Sequence, residues 1–313
     1  MRKTPAHVHR AQGSLLGQFA GDALGSLVEF LSPQEIRQHY PEGVRDLAAG
    51  GTWNTLAGQP TDDSEMALLL ARMLVKTGAY DPQGALKEYR YWLDSHPFDC
   101  GNTISGALRG ILNPQSQANG AMMRISPLGI FGAKYALSQV AEWAVQDAAL
   151  THIHPVCQQA NALFAMGIAQ GVASGCTPED LYEKMQGWVQ QMPLESSLQK
   201  AFHQAAEAPP GDYLLHQGWV LVAFQNALWQ MLHAPNLEEA LVDTVMRGGD
   251  TDTNAAICGA LLGALYGLEA IPSRWSQKIL NCRPQAGDPG VLRPRPECFW
   301  PVDALELAEE LVA

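Results

Sequence analysis

The chain has 313 residues, 47% of them hydrophobic, with a net charge of -12 and a pI near 5.1. This length is ample for a large buried core. The acidic balance excludes a polyanion partner such as nucleic acid, because phosphate contacts need a basic face, and it suits a pocket filled by divalent cations.

The start, M-R-K-T-P-A-H-V-H-R, is charged but leads into no apolar h-region, and Asp22 and Glu29 interrupt the next segment, so no signal peptide is expected. No stretch of consecutive apolar residues reaches the roughly 20 that span a bilayer. Six scattered cysteines, none in a C-x-x-C pair, read as reduced and mostly buried thiols. The expectation is a cytoplasmic protein with no membrane span.

Helical periodicity then dominates. Gly17, Gly21 and Gly25 stand four apart, and so do Gly259, Gly263 and Gly267 near the other end. Glycine costs a helix about 1 kcal/mol against alanine. Close backbone approach offsets that cost, so two central helices packed tightly together are predicted. Met66, Leu69, Leu70, Met73 and Leu74 follow the i, i+3, i+4, i+7, i+8 spacing of an amphipathic helix. Segments 138–150, 157–173, 179–191, 214–233 and 237–247 read as further helices. Pro and Gly clusters at 41–43, 50–51, 113–114, 209–211 and 287–290 read as loops. The Pro-rich stretch 284–301 reads as an ordered surface loop. With no composition shift to divide it, the chain is expected to be one all-α domain over 1–313.

Two oxygen-rich clusters each open a long helix. T-D-D-S-E-M-A, beginning at Thr61, precedes the amphipathic helix, and G-G-D-T-D-T-N, beginning at Gly248, precedes an uncharged run from Ala255 to Leu268. Helix capping is one role for them: Asp62 with Glu65 has the spacing of a capping box, and Asp252 or Thr253 suits the other helix start. Capping needs one oxygen, whereas each cluster offers at least three. Crowded carboxylates repel unless a cation neutralises them. Carboxylate and hydroxyl oxygens are the donors Mg²⁺ prefers, and converging helix starts make room for two metals. An EF-hand fails, because Ala255 stands where its loop needs glycine and Leu261 where it needs glutamate. Zinc fits poorly: there is no H-E-x-x-H, and His152 and His154 have no cysteine pair.

With both clusters in view, the chain resembles the ADP-ribosylglycohydrolase family from about Gly13 to Gly267. The resemblance rests on five motifs in the family's order: G-x-x-x-G-D-A-L-G at Gly17 followed by Glu29, T-D-D-S-E-M-A, N-G-A-M-M-R-I-S-P at Asn119, T-H-I-H-P at Thr151, and G-G-D-T-D-T-N-A at Gly248. It implies an all-α fold, a compact orthogonal helical domain, with two Mg²⁺ or Mn²⁺ ions. The ligands it implies are Thr61, Asp62, Asp63, Asp250, Asp252 and Thr253, with Asp252 bridging and Glu29 within reach of a metal. It implies hydrolysis of the bond between ADP-ribose and its acceptor on a modified protein, releasing ADP-ribose. F-D-C-G-N-T, from Phe98, is similar to the Asp-x-Gly-Asn segment of the arginine-directed branch, whose aspartate faces the scissile bond. A cap at Asp99 and a turn at Asn102 are the structural alternatives.

Cleaving an N-glycosidic bond builds oxocarbenium-like charge on the ribose. Metals held by Asp62 and Asp252 can orient ribose hydroxyls and water, while Asp99 acts as general base or stabilises the charge. On the substrate side the resemblance places Asn102, Asn119, Gly120, Met122, Arg124 and His154. Arg124 has a surface salt bridge as its alternative and His154 a structural role. Core packing suits Tyr213 and Trp219 better than adenine stacking does. Serine-linked or O-acetyl ADP-ribose remain alternative substrates, as does a non-catalytic binder of modified proteins or of a transferase.

Overall fold

The computed structural model describes residues 5–313; the first four residues of the charged start lie outside it. The described residues form fifteen α-helices and three short 3-10 turns, with two isolated bridges and no strand among them. None of these helices is long and apolar enough to cross a membrane. The architecture is the expected all-α one.

At the centre lie two antiparallel helices, Ala6–Gly25 and Thr251–Tyr266, almost wholly buried. Their glycines pair in reverse order: Gly13 meets Gly263, Gly17 meets Gly259, Gly21 meets Ala255 and Gly25 meets Asp252. A Cβ on Gly263 would lie 2.0 Å from the Gly13 carbonyl oxygen, and one on Gly21 would lie 2.1 Å from that of Ala255. No side chain separates the two backbones. Ser14 and Thr251 hydroxyls cross the seam to the carbonyls of Ala260 and Gly25. The seam sets the register that brings the end of the first helix, and Glu29 just beyond it, to the start of the second.

Helices Pro155–Ser174, Val220–His233 and Leu237–Met246 pack around this pair, as do Asp62–Thr77 and Ala304–Val312. The predicted segments 138–150, 157–173, 179–191 and 237–247 appear as Leu137–Ala149, Pro155–Ser174, Pro178–Gln191 and Leu237–Met246. The prediction of helix over 214–233 is corrected, since that helix starts at Val220. Asp212 accepts the N–H groups of Leu214 and Leu215 in a turn, and Gly218 at φ +78° completes the break. The stretch 284–301 is more than surface loop. Its Arg295 is buried and forks onto both carboxylate oxygens of Glu65 at 2.8 Å.

Candidate metal centre and its cavity

The helix Asp62–Thr77 has Thr61 as its N-cap residue, but the Thr61 side chain makes no capping bond. The expected capping box of Asp62 and Glu65 is absent, because Glu65 is committed to Arg295 and the Trp92 indole. The cap comes from another helix. Asp22 accepts the N–H groups of Thr61 and Ser64 at 3.1 Å and the Thr61 hydroxyl at 2.8 Å. Gln18, one turn earlier, donates to the carbonyls of Asp63 and Met123. Thr251–Tyr266 likewise starts at Asp250 with no side-chain capping bond. Asp252 Oδ1 accepts the first-turn N–H of Thr253 at 2.8 Å, which leaves its Oδ2 free of the simpler role, and neither Asp62 nor Asp63 caps its own helix.

Six carboxylates converge here, all buried: Asp22, Glu29, Asp62, Asp63, Asp250 and Asp252. Among the described residues no Arg or Lys pairs with any of them. Carboxylate oxygens of Asp22, Asp63 and Asp252 lie within 4.8 Å of one another, and so do those of Glu29, Asp250 and Asp252. Asp252 belongs to both sets. Asp63 Oδ1 and Asp252 Oδ2 are buried without a hydrogen-bond partner, a costly arrangement for carboxylates unless a cation takes those lone pairs. The hydroxyls of Thr61 and Thr253 point at Asp63 Oδ2 from 3.4 and 3.3 Å. All-oxygen donors in two sets sharing a bridge suit a pair of hard divalent cations. Outer contacts fix the rim: the Trp53 indole N–H donates to Glu29 at 2.6 Å and the Asn119 amide to Asp250 at 2.7 Å.

Burial, reinforced by mutual repulsion, raises these acids. Asp22 is pushed up to about 6, held back by the N–H and hydroxyl groups it accepts. Asp62 is pushed up to about 7 by burial and by the charges of Asp22 and Asp250, and Glu29 to about 8 by burial and Asp250. Asp63 and Asp252 rise well above the carboxylate range. In the unfolded chain the same groups titrate near pH 4. The folded metal-free protein thus holds more protons from about pH 4 to about pH 8, and its stability falls as pH rises through that window. Its melting temperature in a chelator should drop by several degrees from pH 5 to pH 9. Mg²⁺ should restore most of the loss at the alkaline end, since a ligand that binds only the folded state adds stability by mass action. A flat profile with chelator present would contradict an uncompensated acid cluster.

Above the acids is a cavity of about 470 Å³ lined by Glu29, Phe30, Trp53, Asp62, Asp99, Asn102, Asn119, Gly120, His152, Gly218, Asp250 and Thr253, among others. This volume suits a ligand of nucleotide size. Thr61, Asp63 and Asp252 lie buried beneath the lining. A larger groove, about 1110 Å³ between residues 235–238 and 266–281, lies away from the acids. Asp99 and Asn102 both line the acid cavity, and neither caps the helix Asn102–Leu108, whose N-cap is Gly101 with no side-chain bond. Burial and the charges of Asp62, Glu29 and Asp250 push Asp99 up to about 10.

Three expected substrate contacts lie elsewhere. Arg124 is fully buried and pairs with Asp147 at 3.1 Å, its guanidinium 4.2 Å over the Tyr89 ring, so it makes a salt bridge, but a core one rather than the surface one read as its alternative. Met122 points into the core, and its neighbour Met123 reaches the lining. His154 caps Pro155–Ser174 through Nδ1 and meets Gln117 through Nε2. His152 faces the cavity instead, with Nδ1 on the Thr151 hydroxyl and Nε2 buried without a partner. Burial and Arg124 lower it to about 3, so it is neutral. Asn119 spends its N–H on the Gly218 carbonyl, so this group is not free for a phosphate. Tyr213 is in the core, bonded to Asn226; Trp219 is half-buried with its indole N–H on Gln117. Asp22 and His152 are the residues that motif reading passes over, although G-x-x-x-G-D and T-H-I-H contain them.

The sequence model described as ADP-ribosylglycohydrolase matches residues 3–311. An ADP-ribosyl-dinitrogen reductase glycohydrolase of Rhodospirillum rubrum is 33% identical over 287 residues, covering 88% of this chain and 92% of its own length. The ADP-ribosylarginine hydrolase Tri1 of Pseudomonas putida (strain GB-1) is 30% identical over 296 residues, covering 86% and 74%. A solved structure described as an ADP-ribosylglycohydrolase-related protein complex superimposes with a TM-score of 0.79 at 26% identity, covering 98% of each chain.

Proposed function

The chain belongs to the ADP-ribosylglycohydrolase family, and on that premise we propose that it is a metal-dependent hydrolase that releases ADP-ribose from modified arginine side chains of proteins. The observation that carries this reading is the placement of Asp99. Among the carboxylates lining the cavity, Asp99 alone belongs to neither helix-start cluster and to neither oxygen set, and it opens onto the same space as Asp62, Asp250 and Glu29. The names of two relatives, one acting on ADP-ribosyl-dinitrogen reductase and one on ADP-ribosylarginine, support the acceptor class.

Two Mg²⁺ or Mn²⁺ ions held by Asp22, Glu29, Asp63, Asp250 and Asp252, with Asp62, Thr61 and Thr253 beside them, would bind ribose hydroxyls and lower the pKa of a water. The chain's own groups do the rest. The walls exclude bulk solvent and fix the ribose against the acids, so that water and anomeric carbon meet in line. Cations neutralising Asp62, Glu29 and Asp250 would remove the repulsion that helps to raise Asp99; as a carboxylate it then takes the proton of the attacking water and returns it to the departing nitrogen, leaving ADP-ribose and a free guanidinium. Its charge also matches that of the guanidinium, which serine- and acetyl-linked substrates lack at the linkage.

Incubation with ADP-ribosylarginine and Mg²⁺ should release ADP-ribose much faster than incubation with ADP-ribosylserine. Asp99→Asn should still bind metal yet lose activity by on the order of 10²-fold or more. Faster turnover of the serine-linked substrate would overturn the acceptor assignment and leave the family assignment intact. Full activity in Asp99→Asn would remove that residue from the chemistry.

A further inference from the structure

The cavity mouth carries an aromatic wall beside Glu29 that the chemistry above does not use. Phe30 is 55% exposed although it lines the cavity, and it holds a backbone φ of +67°. A bulky residue in the left-handed region is strained, and such strain persists where the surroundings enforce it, often at ligand sites. Here the Phe30 N–H donates to the Gly249 carbonyl at 2.8 Å, which clamps it to the loop that carries Asp250. Trp53 meets Phe30 edge-on at 6.5 Å between centroids and continues to Phe98 at 6.1 Å. Phe98 directly precedes Asp99. One guanidinium already rests on this wall: Arg293 lies 6.0 Å over the Phe98 ring and donates to the Trp53 carbonyl at 2.8 Å. The remaining lining is of another kind, with Asn119, Gly120, His152 and Gly218 on the Asp250 side.

The geometry points to Phe30 and Trp53 as the subsite for the acceptor side chain, in which the guanidinium and alkyl stem of a modified arginine lie against the rings while Asp99 and Glu29 face the linkage. This rests on the arginine reading above. A planar cation on an aromatic face gains electrostatic attraction that a serine linkage cannot supply, and an exposed ring costs nothing further to desolvate. The polar side of the cavity is left for the ADP-ribosyl moiety.

The test compares Phe30→Leu, Phe30→Tyr and Phe30→Gly, because Trp53 also holds Glu29 and its removal would mix two effects. Phe30→Leu keeps the bulk and the strain and removes the ring face. It should lower kcat/KM for ADP-ribosylarginine by roughly 3- to 10-fold, and inhibition by free ADP-ribose should stay unchanged. Phe30→Tyr should restore the wild-type value. Phe30→Gly should lose the same activity while melting at or above the wild-type temperature, because glycine accepts this φ without strain; a ring that served the fold would lower the melting temperature. Unchanged kcat/KM in Phe30→Leu would overturn the subsite. An equal loss of ADP-ribose affinity would also overturn it and assign the ring to the nucleotide. Wild-type protein inert on ADP-ribosylarginine but active on ADP-ribosylserine would sink the arginine reading and this subsite with it, an outcome visible before any variant is made.

Discussion

Asp252→Ala should abolish metal binding at both halves of the site and cut ADP-ribose release by more than about 10²-fold, since losing merely an outer partner of a metal ligand costs 10- to 100-fold. Asp252 is the carboxylate common to both oxygen sets, and its Oδ2 is buried without a partner. The stability effect should have opposite signs in two buffers. In chelator the variant should melt at or above the wild-type temperature, because a buried acid that must either take up a proton or repel Glu29, Asp63 and Asp250 is gone. In Mg²⁺ it should lose the stabilisation that wild-type protein gains. Calorimetry on metal-free protein reads the first claim and thermal melts with and without Mg²⁺ read the second. A binding isotherm like the wild type's would show that Asp252 bridges nothing.

Gly263→Leu should be the most damaging substitution outside the acids. The new Cβ alone would sit 2.0 Å from the Gly13 carbonyl oxygen and 2.4 Å from its carbon, atoms of a helix backbone that cannot swing aside. The helices must separate, so the cost should reach the top of the overpacking range, about 3 kcal/mol or more. That corresponds to a fall in melting temperature of roughly 5 °C or more in a chain of this size. Metal affinity should fall with it, because the same seam aligns Gly25 with Asp252. Gly187→Ala is the control: its Cβ would meet nothing within 4 Å, and it lies inside the helix Pro178–Gln191. Alanine there should be neutral or stabilising by up to about 1 kcal/mol. Equal melting temperatures for Gly263→Leu and wild type would remove the seam from the account of the fold.

The features legible in the sequence are those written in local spacing. The apolar rhythm after Asp63, the glycines four apart and the acids before each helix all lie within a few turns of chain. The features that escape it depend on partners far away. Arg124 reads as a substrate contact because its partner Asp147 is 23 residues distant. Asp22 reads as an interruption in an apolar run, although it caps a helix 39 residues on. Met122 and Met123, like His152 and His154, are neighbours whose facing is decided by one turn of backbone, and no periodicity carries through such turns. The false start of a helix at 214 comes from the Asp212 turn, whose residues also suit a helix.

The central seam also constrains when the protein can come into being. Gly25 and Thr251, joined by a hydrogen bond across it, are 226 residues apart in sequence. On a ribosome the glycine face of the first helix emerges early and must wait for its mate. At about 5–20 residues per second that wait is roughly 10 to 50 seconds. Until then a buried face is uncovered and Asp22, Glu29, Asp62 and Asp63 have no counterpart, so a nascent chain ending before Thr251 has no complete cation site. A cation that needs both oxygen sets can therefore be held only after Asp252 has emerged.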